Sequence, residues 1–163
     1  YNIHDVLDRA IRSSSAGFAS SIKFEKLYYP SLPNASGDAD QMLQVFQNIL
    51  KNACEAISKD RGKIKICTSY NSGVRYTISG DQSEILPLQI EIIDNGSGIP
   101  DNIINEIFEP FVSSKVNGTG LGLAFVSKII TSHGGLIECT SHNAGTKFIL
   151  RLPVSKKSLK DKI

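Results

Sequence analysis

Two glycine-rich segments in the second half of the chain constrain its folding more than any other part of the sequence. The first is residues 94–100 (DNGSGIP), directly after an apolar strand pattern, and the second is residues 118–123 (GTGLGL), directly before a helical pattern. Glycine permits tight turns and lets the backbone come close to another group. Both segments therefore predict sharp turns at the ends of regular elements, where backbone amides are left free.

Neither of the two common glycine loops that bind phosphates fits these segments. A P-loop needs its last glycine to be followed by Lys-Ser or Lys-Thr, and no glycine of this chain is followed by either pair. A dinucleotide fingerprint needs three glycines directly after a strand. Gly118 and Gly120 fit that spacing, but Leu123 takes the third position and residues 110–117 are polar and loop-like.

Composition indicates one globular domain with ordinary chemistry. The chain has 163 residues, of which 40% are hydrophobic and 21% are charged, which is typical of globular proteins. The net charge of +2 gives no sign of a nucleic-acid partner. Much of the positive excess lies in residues 156–162, so we expect a domain over residues 1–154 and a basic, disordered tail over residues 155–163.

The cysteines indicate a reducing compartment, and the apolar segments give no sign of a membrane span. The sequence has an odd number of cysteines and no Cys-x-x-Cys pair; they are Cys54, Cys67 and Cys139. This argues against a disulfide framework or a zinc site. No apolar run approaches the length of a membrane span, and no signal peptide opens the chain. Because the pattern starts abruptly at Tyr1, and Met42 is the only methionine, we expect a domain cut from a longer protein.

Hydrophobic periodicity predicts interspersed helices and strands. The predicted helices are residues 3–11, a long helix whose apolar positions run from 42 to 57, a short helix at 103–108, and residues 121–132. The predicted strands are residues 22–28, 63–70, 74–79, 88–94, 136–141 and 146–152. Residues 79–87 are predicted to be a loop, and residues 143–145 a hairpin turn. This order predicts an α/β sandwich, in which a mixed, mostly antiparallel sheet of about five strands carries helices on one face.

The long central helix carries a polar stripe suited to a metal ion. Asn48 and Asn52 are four residues apart and share one edge of the helix, with Lys51 and Glu55 on the same polar side. An amide oxygen is a hard neutral ligand that suits Mg²⁺, which keeps several waters. An isolated pair of asparagines is more often a solvated face, and the glycine segments downstream favour the ligand interpretation here.

Asp94 ends a strand pattern and precedes Gly96 and Gly98. A carboxylate in that position can accept a hydrogen bond from an exocyclic amine, which favours adenine over guanine. The glycines let the backbone approach the base. The alternative is an ordinary Asp-Asn-Gly turn, which the same residues also fit.

The second glycine segment predicts a phosphate site. Gly118, Gly120 and Gly122 lead into the helix predicted from Leu121, and free amides at a helix N-terminus attract a polyphosphate. Residues 110–117 would act as a mobile lid over the nucleotide. The alternative for the second glycine segment is a plain glycine-rich loop that leads into a helix, with no phosphate site. The side chains that could contact phosphates are Ser113, Ser114, Lys115 and Thr119.

These segments together resemble the catalytic, ATP-binding domain of bacterial sensor histidine kinases, in the GHKL superfamily that also contains gyrase, a class of heat-shock chaperones and MutL. Five motifs occur in the family's order. The matching segments are residues 48–56 (NILKNACEA) for the N box, 94–100 for the first glycine box, 108–115 (FEPFVSSK) for the F box, 118–123 for the second glycine box, and 145–148 (GTKF) for the last motif. The resemblance implies the Bergerat ATP-binding fold.

Further segments resemble a narrower family, the NtrB nitrogen-regulation kinases. They are residues 2–8 (NIHDVLD), 29–33 (YPSLP), 40–41 (DQ) and the loop ahead of residue 88. This resemblance implies a cytoplasmic kinase domain that works with its own dimerisation and phosphoacceptor hairpin. It also implies an NtrC-like response regulator and a PII-type regulator as partners, without direct contact to nucleic acid or membrane.

The resemblance also implies a role for each residue of the site. Asp94 would bind the adenine amine, helped by Thr146 through water, and Asn52 would coordinate Mg²⁺ with Asn48 beside it. Lys115 and the glycine amides would hold the β and γ phosphates, and Asn48, Asn52 and Lys115 would be the catalytic set. The lid residues Val116 and Asn117 form a short segment. The full set of expected nucleotide-binding residues is Asn48, Asn52, Asp94, Gly96, Gly98, Ile99, Lys115, Gly118, Thr119, Gly120, Leu121, Gly122 and Thr146.

Position 48 separates the activities found in the superfamily. Branches that hydrolyse ATP have a glutamate there to activate water, whereas Asn48 is an amide and cannot act as a general base. This favours donation of the γ-phosphate to an outside histidine. The alternative is a serine kinase or partner-binding module of the anti-sigma-factor type. His4 superficially resembles a phosphoacceptor, but its predicted helix is short and lacks a second hairpin helix. His133 and His142 are expected to be structural or solvated.

Overall fold

The structure is a computed structural model that describes residues 1–58, 61–115, 118–142 and 144–156, apart from the side chains of residues 78 and 79. Within these residues the helices are α1 (Ile3–Ser15), α2 (Ala39–Ala56) and α3 (Gly122–Ser132), with one 3₁₀ turn at Ile104–Glu106. The strands are β1 (Lys23–Leu27), β2 (Lys63–Tyr70), β3 (Arg75–Ser79), β4 (Gln82–Ile85), β5 (Leu88–Asp94), β6 (Leu136–His142) and β7 (Gly145–Leu152).

Five strands form one mixed sheet in the order β1-β2-β5-β7-β6. Only β1 runs parallel to its neighbour β2, and the remaining pairs in this sheet are antiparallel. Strands β3 and β4 form a separate two-stranded hairpin. The predicted α/β sandwich with a mostly antiparallel sheet of about five strands is therefore confirmed.

The central strands alternate between a buried face and a partly exposed face. In β5, Leu88, Ile90, Ile92 and Asp94 are buried while the residues between them are only half-buried. Antiparallel sheets commonly cover one face and leave the other to water, and the outer face here carries charges such as the ion pair between Lys147 and Glu91. The helices therefore cover one face of the sheet, and the core lies between the two layers.

Helix α2 lies at the centre of the helical layer and contacts α1, α3 and β5. Its N-terminus is capped by Asp38, whose carboxylate accepts the backbone N–H groups of Asp40 and Gln41. Each large apolar side chain that this helix buries contributes about 1.5–3 kcal/mol relative to exposure. Its fully buried positions recur with helical spacing and are Met42, Val45, Phe46, Ile49, Leu50 and Ala53.

Two predictions of local structure were wrong. Residues 79–87 are not only a loop, because Gln82–Ile85 forms β4 and pairs with β3. All four residues of β4 are exposed, so the segment has no alternating apolar pattern to reveal it. The helix predicted at residues 103–108 is only a 3₁₀ turn at Ile104–Glu106, although the apolar residues of this segment do pack in or against the core.

Several predicted segments fall partly outside the described residues. These are the lid residues Val116 and Asn117, the hairpin residue Asn143, and residues 157–163 of the predicted tail. Just ahead of residue 157, the chain is held to the segment around residue 35. Val154 forms a β-bridge with Ala35, and the backbone N–H of Ser155 donates to the carbonyl of Asn34. None of the described helices combines the length and apolar character needed to cross a bilayer.

Candidate functional site

A cavity of about 510 Å³ lies between α2, the ends of β5 and β7, and the segment that leads into α3. Most of the predicted site residues converge on it from separate parts of the sequence. Gly96 and Leu121 lie outside its lining. The predicted residues that line the cavity are Asn48, Asn52, Asp94, Gly98, Ile99, Ser113, Ser114, Lys115, Gly118, Thr119, Gly120, Gly122 and Thr146.

Asp94 is the last residue of β5, directly opposite Thr146 on β7. Its side chain is 5% exposed, and its Oδ1 accepts the backbone N–H of Gly96 at 2.8 Å. Burial raises the pKa of Asp94 above its ordinary value, while the backbone amides of Gly96 and Thr146 act in the opposite direction. A buried carboxylate is costly unless it is hydrogen-bonded, so this side chain favours a ligand that brings a donor into the cavity.

The turn after β5 is wedged between two other backbone segments. A Cβ on Gly96 would lie 2.6 Å from the carbonyl oxygen of Ala56, and the backbone N–H of Ser97 donates to the same oxygen at 3.0 Å. Gly98 has a φ of +80°, and a Cβ there would lie 2.3 Å from the carbonyl oxygen of His142. Only glycine fits these positions, so this turn is fixed between the end of α2 and the end of β6.

Sequence reasoning missed Ser141, on β6. Its Oγ accepts the backbone N–H of Ile99 at 2.6 Å and lies 3.2 Å from the Oγ1 of Thr146. It therefore joins the turn after β5 to the strand opposite Asp94. No sequence motif marks this serine. Its position becomes apparent only from the strand register, which pairs Ser141 with Thr146.

The polar stripe of α2 forms another part of the cavity lining. Asn48, Lys51, Asn52 and Glu55 all line it. The ammonium group of Lys115 donates to Asn52 Oδ1 at 3.2 Å and forms an ion pair with the carboxylate of Glu55. The segment before α3 is therefore tied to α2 through Lys115, a contact that spacing along the sequence does not reveal.

Oxygen donors on this stripe fit a hard cation such as Mg²⁺. Asn52 offers an amide oxygen and Glu55 a carboxylate at the rim of the cavity, and Mg²⁺ prefers oxygen ligands and retains several waters. Among the described residues, no group of three or more His, Cys, Asp or Glu side chains forms a ready-made metal cage. A cation would therefore need further oxygens from a bound phosphate and from water.

The second glycine segment sets α3 directly beside α2. Gly120 has a φ of +68°, and its carbonyl accepts the backbone N–H of Phe111 at 3.0 Å. A Cβ on Gly122 would lie 3.0 Å from Asn48 Oδ1. In the part of the chain that the structure describes, no side chain caps α3. Its first amides therefore remain available for an anion at the cavity.

None of the three histidines is among the residues that line the cavity. His4 stacks on the ring of Tyr28 at 4.4 Å, and its Nε2 is 2.9 Å from Thr68 Oγ1. Burial lowers the pKa of His4, although Asp8 and Asp5 act in the opposite direction. His133 Nε2 accepts the backbone N–H of Asp38, which joins the end of α3 to the start of α2. His142 is exposed at the end of β6, one residue beyond the predicted strand bound of 141.

Residues 37–156 match the family described as histidine kinase-, DNA gyrase B-, and HSP90-like ATPase. The match covers most of the chain and includes every residue of the cavity lining named above. The chain belongs to this family.

Two similar relatives are both named sensory histidine kinase/phosphatase NtrB. The protein of Rhodobacter capsulatus is 51% identical over 158 residues, which is 97% of this chain and 44% of the relative. The protein of Rhizobium leguminosarum bv. phaseoli is 45% identical over 163 residues, which is 98% of this chain and 43% of the relative. The resemblance to the NtrB kinases is confirmed, and the chain spans less than half the length of these relatives.

Solved structures confirm the fold. The mycobacterial sensor histidine kinase MprB superposes with a TM-score of 0.78 at 24% identity, covering 94% of this chain and 97% of that one. A nucleotide-free form of the catalytic domain of the histidine kinase ThkA gives a TM-score of 0.77 at 25% identity, covering 97% of this chain and 96% of that one. The Bergerat fold predicted from the motifs is therefore correct.

The close approach at Gly98 can be tested against a matched glycine. Gly98→Ala should lower the free energy of unfolding by about 1–3 kcal/mol more than Gly80→Ala, because the added Cβ would collide with the carbonyl of His142. Gly80 also has a positive φ, of +54°, but an added Cβ there meets none of the described atoms within 4 Å. Urea unfolding measures both, and equal losses would show that φ strain alone matters.

Proposed function

We propose that this domain binds Mg-ATP and donates the γ-phosphate to a histidine on a separate dimerisation hairpin of a two-component sensor kinase. That kinase would then phosphorylate an NtrC-like response regulator. The observation that carries the proposal is one cavity whose lining includes both a buried carboxylate, Asp94, and the polar stripe of α2 with Lys115. A base bound at the Asp94 end and phosphates bound along the stripe would suit this lining.

The Asp94 end suits adenine. The adenine amine is a hydrogen-bond donor, whereas guanine presents an acceptor oxygen at the same position. A buried carboxylate would accept from the amine and would repel the oxygen. Thr146 lines the same end and is 5% exposed, so its hydroxyl is positioned to contribute a second polar contact, directly or through water.

The other end suits a triphosphate. The uncapped start of α3 offers amides and the positive end of the helix dipole, and Lys115 offers an ammonium group. Asn52 would hold Mg²⁺ together with phosphate oxygens and water, with Asn48 beside it. The bound cation would neutralise charge on the phosphates. For Lys115 to reach the phosphates, it would exchange its contact with Glu55 for the new anion.

The chemistry of the cavity favours transfer over hydrolysis. Asn48 stands where a general base would act on water, but its amide has no basic site and its Nδ2 donates to the carbonyl of Gln44 at 2.9 Å. The domain would therefore position the γ-phosphate for an outside nucleophile and stabilise the developing charge.

The organisation of the whole protein is part of the same proposal. Residues 1–154 would form the catalytic domain and residues 155–163 a basic tail. The phosphoacceptor hairpin, the NtrC-like response regulator and a PII-type regulator would be its partners, and its location would be the cytoplasm. The support is the identity to the NtrB relatives over nearly the whole of this chain.

Replacing the proposed adenine acceptor should abolish most nucleotide affinity without unfolding the domain. Asp94→Asn should weaken ATP binding by about 10- to 100-fold, because a hydrogen bond to a charged group is lost. The exposed Asp101 lies near the same turn, and Asp101→Asn should bind ATP like the unmodified domain. Calorimetric titration gives the affinities and circular dichroism checks the fold. Unchanged affinity in Asp94→Asn would exclude the adenine-reading role.

The transfer step can be tested with radiolabelled ATP. The domain alone should bind ATP without becoming stably labelled, because no histidine lines the cavity. Adding the dimerisation hairpin of an NtrB kinase should yield acid-labile label on the hairpin, and a hairpin with its acceptor histidine replaced by alanine should remain unlabelled. Stable label on the domain itself, or ATP binding with no transfer to the hairpin, would contradict the kinase assignment.

A further inference from the structure

Ser141 lies behind the wall of the cavity and contacts two of the residues that form it. Its Oγ accepts the backbone N–H of Ile99 at 2.6 Å and lies 3.2 Å from Thr146 Oγ1. It also lies 3.3 Å from the carbonyl oxygen of Gly145. Among the described residues, these three groups surround one hydroxyl.

The number of protons on a hydroxyl limits how these contacts can be made. A serine hydroxyl has one proton to donate and two lone pairs to accept with. The N–H of Ile99 can only donate, so it occupies one lone pair of Ser141. The single proton of Ser141 must then go either to Gly145 or to Thr146.

Each choice gives the Thr146 hydroxyl a different hydrogen-bonding role at the cavity. If Ser141 donates to Gly145, Thr146 can give its own proton to the free lone pair of Ser141, and it then offers only lone pairs to a ligand. If Ser141 donates to Thr146, the proton of Thr146 is free to point into the cavity. The position of one proton thus decides whether the cavity offers a donor or an acceptor beside Asp94.

Adenine and hypoxanthine need opposite arrangements. Beside its amine, adenine has a ring nitrogen, N1, that accepts a hydrogen bond, whereas hypoxanthine has an N1–H group that donates one. Asp94 and Thr146 face each other across the β5–β7 pair and both line the cavity. A base whose amine reaches Asp94 therefore brings N1 towards the hydroxyl of Thr146.

We propose that Ser141 is a positioning residue for base selection: it donates its proton to Thr146, which turns the Thr146 hydroxyl into a donor for the adenine N1, directly or through one water. This inference rests on the proposed function, in which the cavity binds an adenine nucleotide. Ser141 also holds the turn that carries Ile99, and a Cβ on Gly98 would lie 3.0 Å from its Oγ. The same hydroxyl therefore fixes both the turn and the proton arrangement.

The test compares ADP with inosine diphosphate, which carries hypoxanthine, by calorimetric titration. Ser141→Ala should reduce the preference for ADP over inosine diphosphate by about three- to tenfold, the worth of one hydrogen bond. Ser141→Thr keeps the hydroxyl and should restore the preference. Ser132→Ala removes a hydroxyl that bonds to the carbonyl of Ile129 at the far end of α3, and should leave the preference unchanged.

The outcomes separate this role from a merely structural one. Equal weakening of both nucleotides by Ser141→Ala would mean that Ser141 only braces the turn, and an unchanged preference would equally overturn the proposal. If the alanine variant does not fold, Ser141→Cys fills similar space with a poor hydrogen-bonding group, and it should show the same reduced preference. Failure of the unmodified domain to bind ADP would overturn the proposed function itself, and this inference with it.

Discussion

The pairing of β5 with β7 is the constraint on which the rest of the site depends. It sets Asp94 opposite Thr146, and it brings the two backbones so close at Gly145 that a Cβ there would lie 1.9 Å from the carbonyl oxygen of Asp94. The pairing holds a carboxylate in a buried position, where burial raises its pKa. A fold without a use for this group would bury an apolar residue there at lower cost. The buried carboxylate at the end of β5 is therefore the feature of this strand that favours ligand recognition.

Helix α2 contributes both to the core and to the cavity, because its apolar side is buried and its polar side lines the cavity. One side is buried in the core from Met42 to Ala53. The other side carries Asn48, Asn52 and Glu55 along the cavity. Because the buried side cannot rotate without exposing the core, the polar side is held rigidly towards the cavity. The ion pair between Lys115 and Glu55 then connects this rigid helix to the segment before α3.

Much of this organisation could be predicted from the sequence where local chemistry decides it. Strands β2 and β5 were predicted with their observed bounds, because their apolar residues alternate and they end at turn residues. The cavity lining was largely predicted because glycines and asparagines mark it in recognisable motifs. The binding roles of these residues are predictions that come from the family resemblance.

Features that depend on distant contacts could not be predicted. Strand β4 has only exposed side chains, so it has no apolar pattern in the sequence. It is defined instead by its backbone pairing with β3. Ser141 acquires its place only when β6 is aligned with β7. The contact between Lys115 and Glu55 joins residues whose separation of 60 positions no local pattern reports. In each case the tertiary fold supplies the partner.

The most direct measurement of the central claim is a calorimetric titration of ATP and GTP into the unmodified domain, with and without Mg²⁺. The cavity described here predicts binding of ATP in preference to GTP, because Asp94 accepts from an amine and repels an oxygen. It also predicts tighter ATP binding when Mg²⁺ is present, because the α2 stripe supplies oxygen ligands. Equal affinity for the two nucleotides, or no binding by a folded sample, would contradict the account and favour a partner-binding module.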